Sequence, residues 1–272
     1  MGNAKTADGW YYHGANVVRE VLKNLVAQHG LGARRNGEKS LLLFGGSSAG
    51  ARGAMVHLDY VRSMLGDAAR NVDVIGFLDR LVIFMINFSN NSDNSFDSPL
   101  WIDMAPYQGE FPGFNVTTSG VWARANVTHL GTECEKQYTG AESWKCMFGQ
   151  YRMPFLKTVP YFLIASQSDA FQLGENVGHK PSTSSEIDYA NIFGKKTRAL
   201  LAKLHASGNG QNAMFSWNCY NHATSCTAAG FDTYKCSSNK VTMSEALSKY
   251  LLDRASGDEW IDDCGSFACG SC

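Results

Sequence analysis

Leu41-Leu42-Leu43-Phe44-Gly45-Gly46-Ser47-Ser48-Ala49-Gly50 decides how this chain reads. Four apolar residues run into Gly-Gly, and Gly46-Ser47-Ser48-Ala49-Gly50 has the pattern G-x-S-x-G. The apolar run predicts a buried strand, and the residues after the serine, through Met64, predict a helix. A serine between strand and helix sits on a tight, strained turn that lifts its hydroxyl above the sheet, the context that gives the motif chemical meaning. Gly46 and Gly50 are expected where the strand and helix backbones crowd. The Ser48 hydroxyl would lie at a helix N-terminus, where unbonded N–H groups and the dipole favour negative charge. A Gly/Ser-rich turn without chemistry is the competing reading of the pentapeptide; the flanking strand and helix weigh against it.

The chain around this motif has 272 residues, 44% of them hydrophobic, enough for one large α/β core or two small domains. Lys+Arg 24 against Asp+Glu 25 leaves a formal net charge of −1, and no basic run points to a nucleic-acid or acidic-lipid partner. The most apolar stretch, Leu81 to Phe88, is too short to span a membrane.

All 8 cysteines lie from residue 134 onward, at Cys134, Cys146, Cys219, Cys226, Cys236, Cys264, Cys269 and Cys272. The even count favours disulfides. Cys269-Gly-Ser-Cys272 would suit one side of a zinc site, but no second pair stands at zinc spacing, so no metal is expected. N-x-[ST] sequons stand at Asn87, Asn90, Asn115 and Asn126. Together with the cysteines they point to a secreted protein. Met1-Gly-Asn-Ala-Lys-Thr6 fits the N-myristoylation pattern and points the opposite way.

Gly14 to Gln28 carries Val17, Val18, Val21, Leu22, Leu25 and Val26 at helical spacing, ended by Gly30 and Gly32. Arg34 to Lys39 reads as a polar loop. Ala54, Met55, Leu58, Val61 and Leu65 share one face of the helix after Ser48, and Gly66 stops it. Val72 to Leu78 is a second buried strand, so strand, helix, strand implies a parallel crossover. Asn87 to Ser98 reads as a loop and Pro99 to Gly120 as ordered irregular structure. Pro160 to Ala165 is a third strand, Ile187 to His205 a helix, Ala213 to Trp217 a fourth strand and Ser244 to Arg254 a last helix.

Strands thus run into Ser48, Asp169 and His222. Sites in open α/β sheets form at the carboxyl ends of strands, and Ser, then Asp, then His is the chain order of α/β hydrolases. A serine hydroxyl needs a base to become a nucleophile. Histidine serves near neutral pH, and a carboxylate holds its tautomer. The Ala49 N–H, next to the nucleophile, is the expected oxyanion donor. Asp79 also follows a strand and is the rival acid. His29 and His205 stand near helix C-termini, His57 is expected at the surface of the elbow helix, and His13, His129 and His179 fall in loops.

These residues resemble the pectin acetylesterase / Notum family of secreted α/β hydrolases. The resemblance is carried by Gly14-Ala-Asn-Val-Val-Arg-Glu-Val-Leu with the elbow, Cys134-Glu-Lys-Gln-Tyr, Trp144-Lys-Cys146-Met-Phe-Gly, Ser168-Asp169-Ala-Phe-Gln-Leu, Cys219-Tyr-Asn-His222 and the tail from Asp263-Cys264 to Cys272. It covers nearly the whole chain. It implies an α/β-hydrolase-like, mostly parallel sheet flanked by helices in one domain, with a Cys-rich tail over 257–272. It also implies ester hydrolysis by Ser48, His222 and Asp169 without a cofactor. Expected substrates are acylated polysaccharides, most simply acetylated pectin in the cell wall. The alternatives are an acylated protein, as for animal Notum, and an impaired secreted binding protein of the same fold. Cys134 and Cys146 are expected to pair, and Asn115 and Asn126 are candidate glycan sites.

Three departures from the family pattern stand out. Its upstream Gly-Gly-Gly-Trp-Cys segment, which supplies oxyanion-hole N–H groups, is absent. Met1-Gly2 resembles the middle of a family segment, so the first strands of the sheet are expected to be missing and the myristoylation match to be accidental. Gly76-Phe-Leu-Asp79 and Asp97 to Asp103 resemble two halves of one stretch, so residues 80–96 read as an insert, with an unspliced intron as one explanation.

Overall fold

The computed structural model describes residues 9, 11–79, 100–108, 111–207, 210–222, 228–236, 240–253 and 257–270. In chain order the elements are α1 (Gly14–His29), β1 (Ser40–Ser47), α2 (Ala49–His57), α3 (Val61–Leu65), β2 (Val72–Asp79), α4 (Phe114–Ala125), α5 (Thr132–Gln137), α6 (Gly149–Arg152), β3 (Tyr161–Ile164), β4 (Ser168–Asp169), α7 (Ala170–Val177), α8 (Ser184–Ser207), β5 (Ala213–Ser216), β6 (Tyr220–Asn221), α9 (Ala228–Thr233), α10 (Met243–Leu252) and β7 (Glu259–Ile261). Short 3-10 turns join α2 to α3 at Leu58–Tyr60 and lead into β2 at Gly66–Asn71.

A five-stranded sheet runs in the order β1-β2-β3-β5-β7, every pair parallel, and β4 pairs with β6 beside it. Side chains alternate across a strand, and here they feed two cores. Val72, Val74 and Leu78 of β2, Leu163 and Met214 join the face packed by α1, α2, α3 and α8. Ile75, Phe162, Ile164, Ala213 and Phe215 join the face packed by Met243, Ala246 and Tyr250 of α10. The predicted helix after Ser48 buries Ala54, Met55, Leu58, Val61 and Leu65 as its spacing requires. Beneath it, Arg152, fully buried, donates to Asp59 Oδ2 at 2.6 Å, and Thr158 Oγ1 donates to Asp59 Oδ1 at 2.9 Å.

Two expectations about the elements need correction. The apolar run at β1 is not buried on both faces: Leu41 and Leu43 are 46% and 41% exposed, while Leu42 and Phe44 pack inward. β1 is one of the two edge strands of the described sheet, and α10 covers β3 and β5 but no described element covers the same face of β1. Pro99 to Gly120 is not irregular throughout, because α4 starts at Phe114 behind Gly113 at φ 99. Val116 and Val121 are exposed on α4, which blurs the helical periodicity in the sequence. The residues read as an insert, 80–96, and the sequons at Asn87 and Asn90 lie outside the described residues.

Candidate active site

The elbow is local geometry first. β1 and β2 run in register from Ser40 opposite Val72 to Ser47 opposite Asp79. Ser48 leaves the strand at φ 52, ψ −124, a conformation a non-glycine residue adopts only under strain. Its N–H donates to Asp79 O at 3.1 Å, and its own carbonyl accepts from Ala51 N at 3.0 Å and Arg52 N at 3.2 Å, starting α2. Gly46 is required: a Cβ there would lie 2.4 Å from the carbonyl carbon and oxygen of Gly50. The expectation for Gly50 is corrected, since a Cβ at that position meets no described atom within 4 Å. The crowding is of the Gly50 backbone against residue 46, not of residue 50 against the strand. Ser48 is 2% exposed, and its Oγ makes no hydrogen bond among the described residues. The hydroxyl therefore stands in enclosed space and is not raised into solvent. Ala49 N–H, the first of α2, has no intrahelical acceptor.

β4 and β6 bring the acid and the base together. Ser168 pairs with Tyr220 and Asp169 with Asn221, which puts His222 one residue beyond the ladder. His222 Nδ1 lies 3.0 Å from Asp169 Oδ1. Asp169 is fully buried and caps α7: its Oδ1 accepts from Phe171 N at 2.8 Å and Gln172 N at 2.9 Å, and Gln172 Nε2 donates to Oδ2 at 3.3 Å. The rival acid, Asp79, sits at the end of β2 beside the elbow, and the carboxylate that reaches His222 is that of Asp169.

A band of rings connects the two halves. Arg52 lies 3.7 Å over the Trp101 ring, Trp101 packs on Phe114, Phe114 on Phe171, and Phe171 on His222 at 5.3 Å. Sequence reasoning missed Gln172, which is fully buried. Besides Asp169 it holds the chain at Leu100 O and Ile102 N. Its place three residues after a helix-capping Asp was the available signal.

The Cys-rich tail is structural support for this pair. Cys264 and Cys269 are joined, Ala268 N donates to Ser168 Oγ, Gly270 N donates to Asn218 O at 2.7 Å, and Asn218 N donates to Asp262 Oδ2 at 2.9 Å. Cys134 and Cys146 are joined to each other, and Cys219 is also in a disulfide. Cys236 is buried against Ser216 O. Among the described residues no cluster of three or more His, Cys, Asp or Glu is placed to hold a metal ion.

The remaining histidines lie elsewhere. His57 is corrected: it is 4% exposed, not at the surface, because the end of α2 is buried all round, with Ala54, Met55, Val56 and Leu58 buried beside it. Burial lowers its pKa from 6.5 to about 4. His205 faces Glu259 at 3.5 Å, His179 faces Glu186 at 3.4 Å, and His129 packs edge-on to Tyr60. His13 stacks on Tyr11, and His29 ends α1.

A parallel sheet flanked by helices, with a strained strand-serine-helix turn at the end of β1, is an α/β-hydrolase-like fold. Similarity to known proteins narrows the class. The pectinacetylesterase family matches residues 1–272, and the chain belongs to that family. It is 29% identical over 216 residues to the palmitoleoyl-protein carboxylesterase NOTUM of Drosophila melanogaster, covering 79% of this chain and 27% of that protein. It is 27% identical over 200 residues to the Mus musculus NOTUM, covering 72% and 36%. The crystal structure of the Wnt deacylase Notum from Drosophila superposes with a TM-score of 0.75 at 25% identity, over 96% of this chain and 65% of that one. The chain thus spans less than two thirds of the length of these relatives.

Proposed function

We propose that the chain is a serine carboxylic ester hydrolase that removes O-acetyl groups from pectin or a related acidic cell-wall polysaccharide. The observation that carries this reading is the strained Ser48 elbow at the end of β1 in a fold that also holds a buried Asp169–His222 pair on the neighbouring β4–β6 ladder. Ser48 Oγ attacks the ester carbonyl while His222 takes its proton through Nε2. Asp169 holds the opposite nitrogen, Nδ1, and stabilises the imidazolium. Ala49 N–H donates to the developing oxyanion, a contact worth about 3–4 kcal/mol in the transition state. His222 then protonates the leaving sugar hydroxyl, leaving acetyl on Ser48. Water, deprotonated by His222, releases acetate and restores the serine. Every proton moves between Ser48, His222, water and the sugar, so the steps call on no cofactor.

The family's description supports an acetyl ester of pectin as substrate. The names of the similar proteins favour a second reading, removal of a long acyl group from a protein. A series of p-nitrophenyl esters from acetyl to palmitoyl separates the two by where kcat/KM peaks. The disulfides support an extracellular or cell-wall location. There Asn126, exposed at the end of α4, and Asn115 in its first turn would be the glycan acceptors. No helix among the described residues is long and apolar enough to cross a membrane, and nothing in the charge pattern calls for a nucleic-acid partner.

Ser48→Ala tests the mechanism. Esterase turnover is expected to fall by at least about four orders of magnitude with the fold intact, and a fluorophosphonate probe should label the parent only. Turnover that survives the substitution rules the mechanism out. A parent that folds, binds acylated polysaccharide and turns over no ester would be the impaired binding protein instead.

A further inference from the structure

A groove of 520 Å³ opens on the flank of the molecule between α6 and α8, within the size range of small-ligand sites. Its walls are Tyr138, Tyr151 and Phe155, with Gln150, Lys196 and Lys203 at its rim, and no acidic side chain lines it. Tyr138 meets Tyr151 edge-on at 5.6 Å and Phe155 at 6.2 Å, so the three half-buried rings present a rigid apolar floor. Lys145 stands behind that floor, 5.2 Å from the Tyr138 ring and 5.4 Å from the Tyr151 ring, paired with Glu142. The other nearby acid, Asp103, accepts the Tyr151 hydroxyl, and its backbone carbonyl accepts from Lys196 at 3.4 Å.

The groove is built on the segment that backs the candidate catalytic histidine. Gln150 Oε1 takes the Asp103 N–H at 2.9 Å and Gln150 N donates to Trp101 O at 3.1 Å. Ring contacts run without a break from Tyr151 to Phe148, Trp101, Phe114, Phe171 and His222. Rings offered at an open wall suit the C–H faces of a pyranose. Amides suit its hydroxyls, and exposed lysines suit a carboxylate. A neutral sugar would leave both lysines unused. An acyl chain would leave lysines and amide alike unpaired.

We propose that this groove is a subsite for the uronate units of an acidic polysaccharide, separate from the unit whose ester meets Ser48. The choice of a uronate polymer rests on the substrate reading above. Binding here would tie the polymer down through residues that make no contact with the reacting atoms. Its contribution should therefore appear in KM for the polymer more than in kcat.

Calorimetric titration of the full chain with a de-esterified galacturonate oligomer tests this directly. The parent is expected to bind, more weakly as ionic strength rises. The K196Q/K203Q variant should bind about tenfold more weakly, with Tyr138→Ala weakened as well. Lys23→Gln combined with Lys39→Gln, the same loss of two positive charges away from the groove, should bind as the parent does. The subsite is overturned if the parent fails to bind, if K196Q/K203Q binds as tightly as the parent, or if a carboxyl-reduced oligomer binds equally well. KM and kcat on acetylated galacturonan separate the two levels. A parent that hydrolyses p-nitrophenyl acetate but not the polymer, yet binds the oligomer through these lysines, sinks the substrate reading and keeps the subsite. A parent that deacetylates the polymer with KM indifferent to K196Q/K203Q keeps the reading and sinks the subsite.

Discussion

At the scale of single residues, two side chains carry expectations that separate a role in chemistry from a role in stability. Asp169→Asn preserves an oxygen for the Phe171 and Gln172 N–H groups, so the cap on α7 survives. The same oxygen also faces His222 Nδ1, so what is lost is the negative charge that stabilises the imidazolium, together with the Oδ2 acceptor of Gln172 Nε2. Turnover should fall by roughly three to four orders of magnitude while the unfolding midpoint moves little. A loss below tenfold would mean that another group orients His222. His57 is the opposite case, buried at the end of α2 away from Ser48. Its pKa is about 4 in the fold against 6.5 for an ordinary histidine. Between those values the unfolded chain binds a proton that the folded chain refuses. The stabilisation is thus fully present above pH 6.5 and is lost as pH falls towards 4, an effect of up to about 3 kcal/mol. Urea unfolding of His57→Gln over this range should decline less steeply than that of the parent; parallel slopes would refute the assignment.

At the scale of elements, the elbow depends on one contact between backbones. Gly46→Ala drives a Cβ to 2.4 Å from the Gly50 carbonyl, which only movement of α2 against β1 can relieve. We expect a loss of about 1–3 kcal/mol in stability together with loss of probe labelling at Ser48. Gly50→Ala meets no described atom and replaces a poor helix former by the best one. Its stability should equal or exceed that of the parent by up to about 1 kcal/mol. Chemical denaturation of both variants decides it; equal losses at the two positions would show that the strand and helix are not in the contact described. The sequence pattern G-x-S-x-G treats these glycines alike, and only the three-dimensional path of α2 distinguishes them.

For the molecule as a whole, the consequential feature is the β1 edge, where no further strand pairs among the described residues. Leu41 and Leu43 on β1 and Val17 and Val21 on α1 are among the most exposed large apolar side chains. An edge strand with apolar side chains and unpaired backbone groups promotes association. Replacing Leu41 and Leu43 by lysine should lower light scattering at a given protein concentration and leave the unfolding midpoint within about 1 kcal/mol of the parent, since neither residue packs in a core. Unchanged scattering would mean that this edge is not the adhesive surface. At the other end of the sheet the tail strengthens what the edge leaves open. The Cys264–Cys269 loop bonds to Ser168 and Asn218, so the strands carrying Asp169 and His222 are held by chain a hundred residues from the first of them.

Local chemistry was legible along the chain. Apolar runs marked β1, β2, β3 and β5, glycines marked helix ends at Gly30 and Gly66, and G-x-S-x-G marked the turn at Ser48, because each signal lies within a few residues of what it specifies. Chain order also put an Asp and a His after later strands. Which acid meets which base was not local. Asp79 and Asp169 both follow strands, and only the β4–β6 pairing, between segments some fifty residues apart, puts the Asp169 carboxylate on His222. The burial of His57, the exposure of Leu41 and Leu43 and the clamping of the site by the tail have the same origin. Each depends on which surface of an element its neighbours cover, and periodicity along a strand or helix defines that element's faces without saying what will be packed against them.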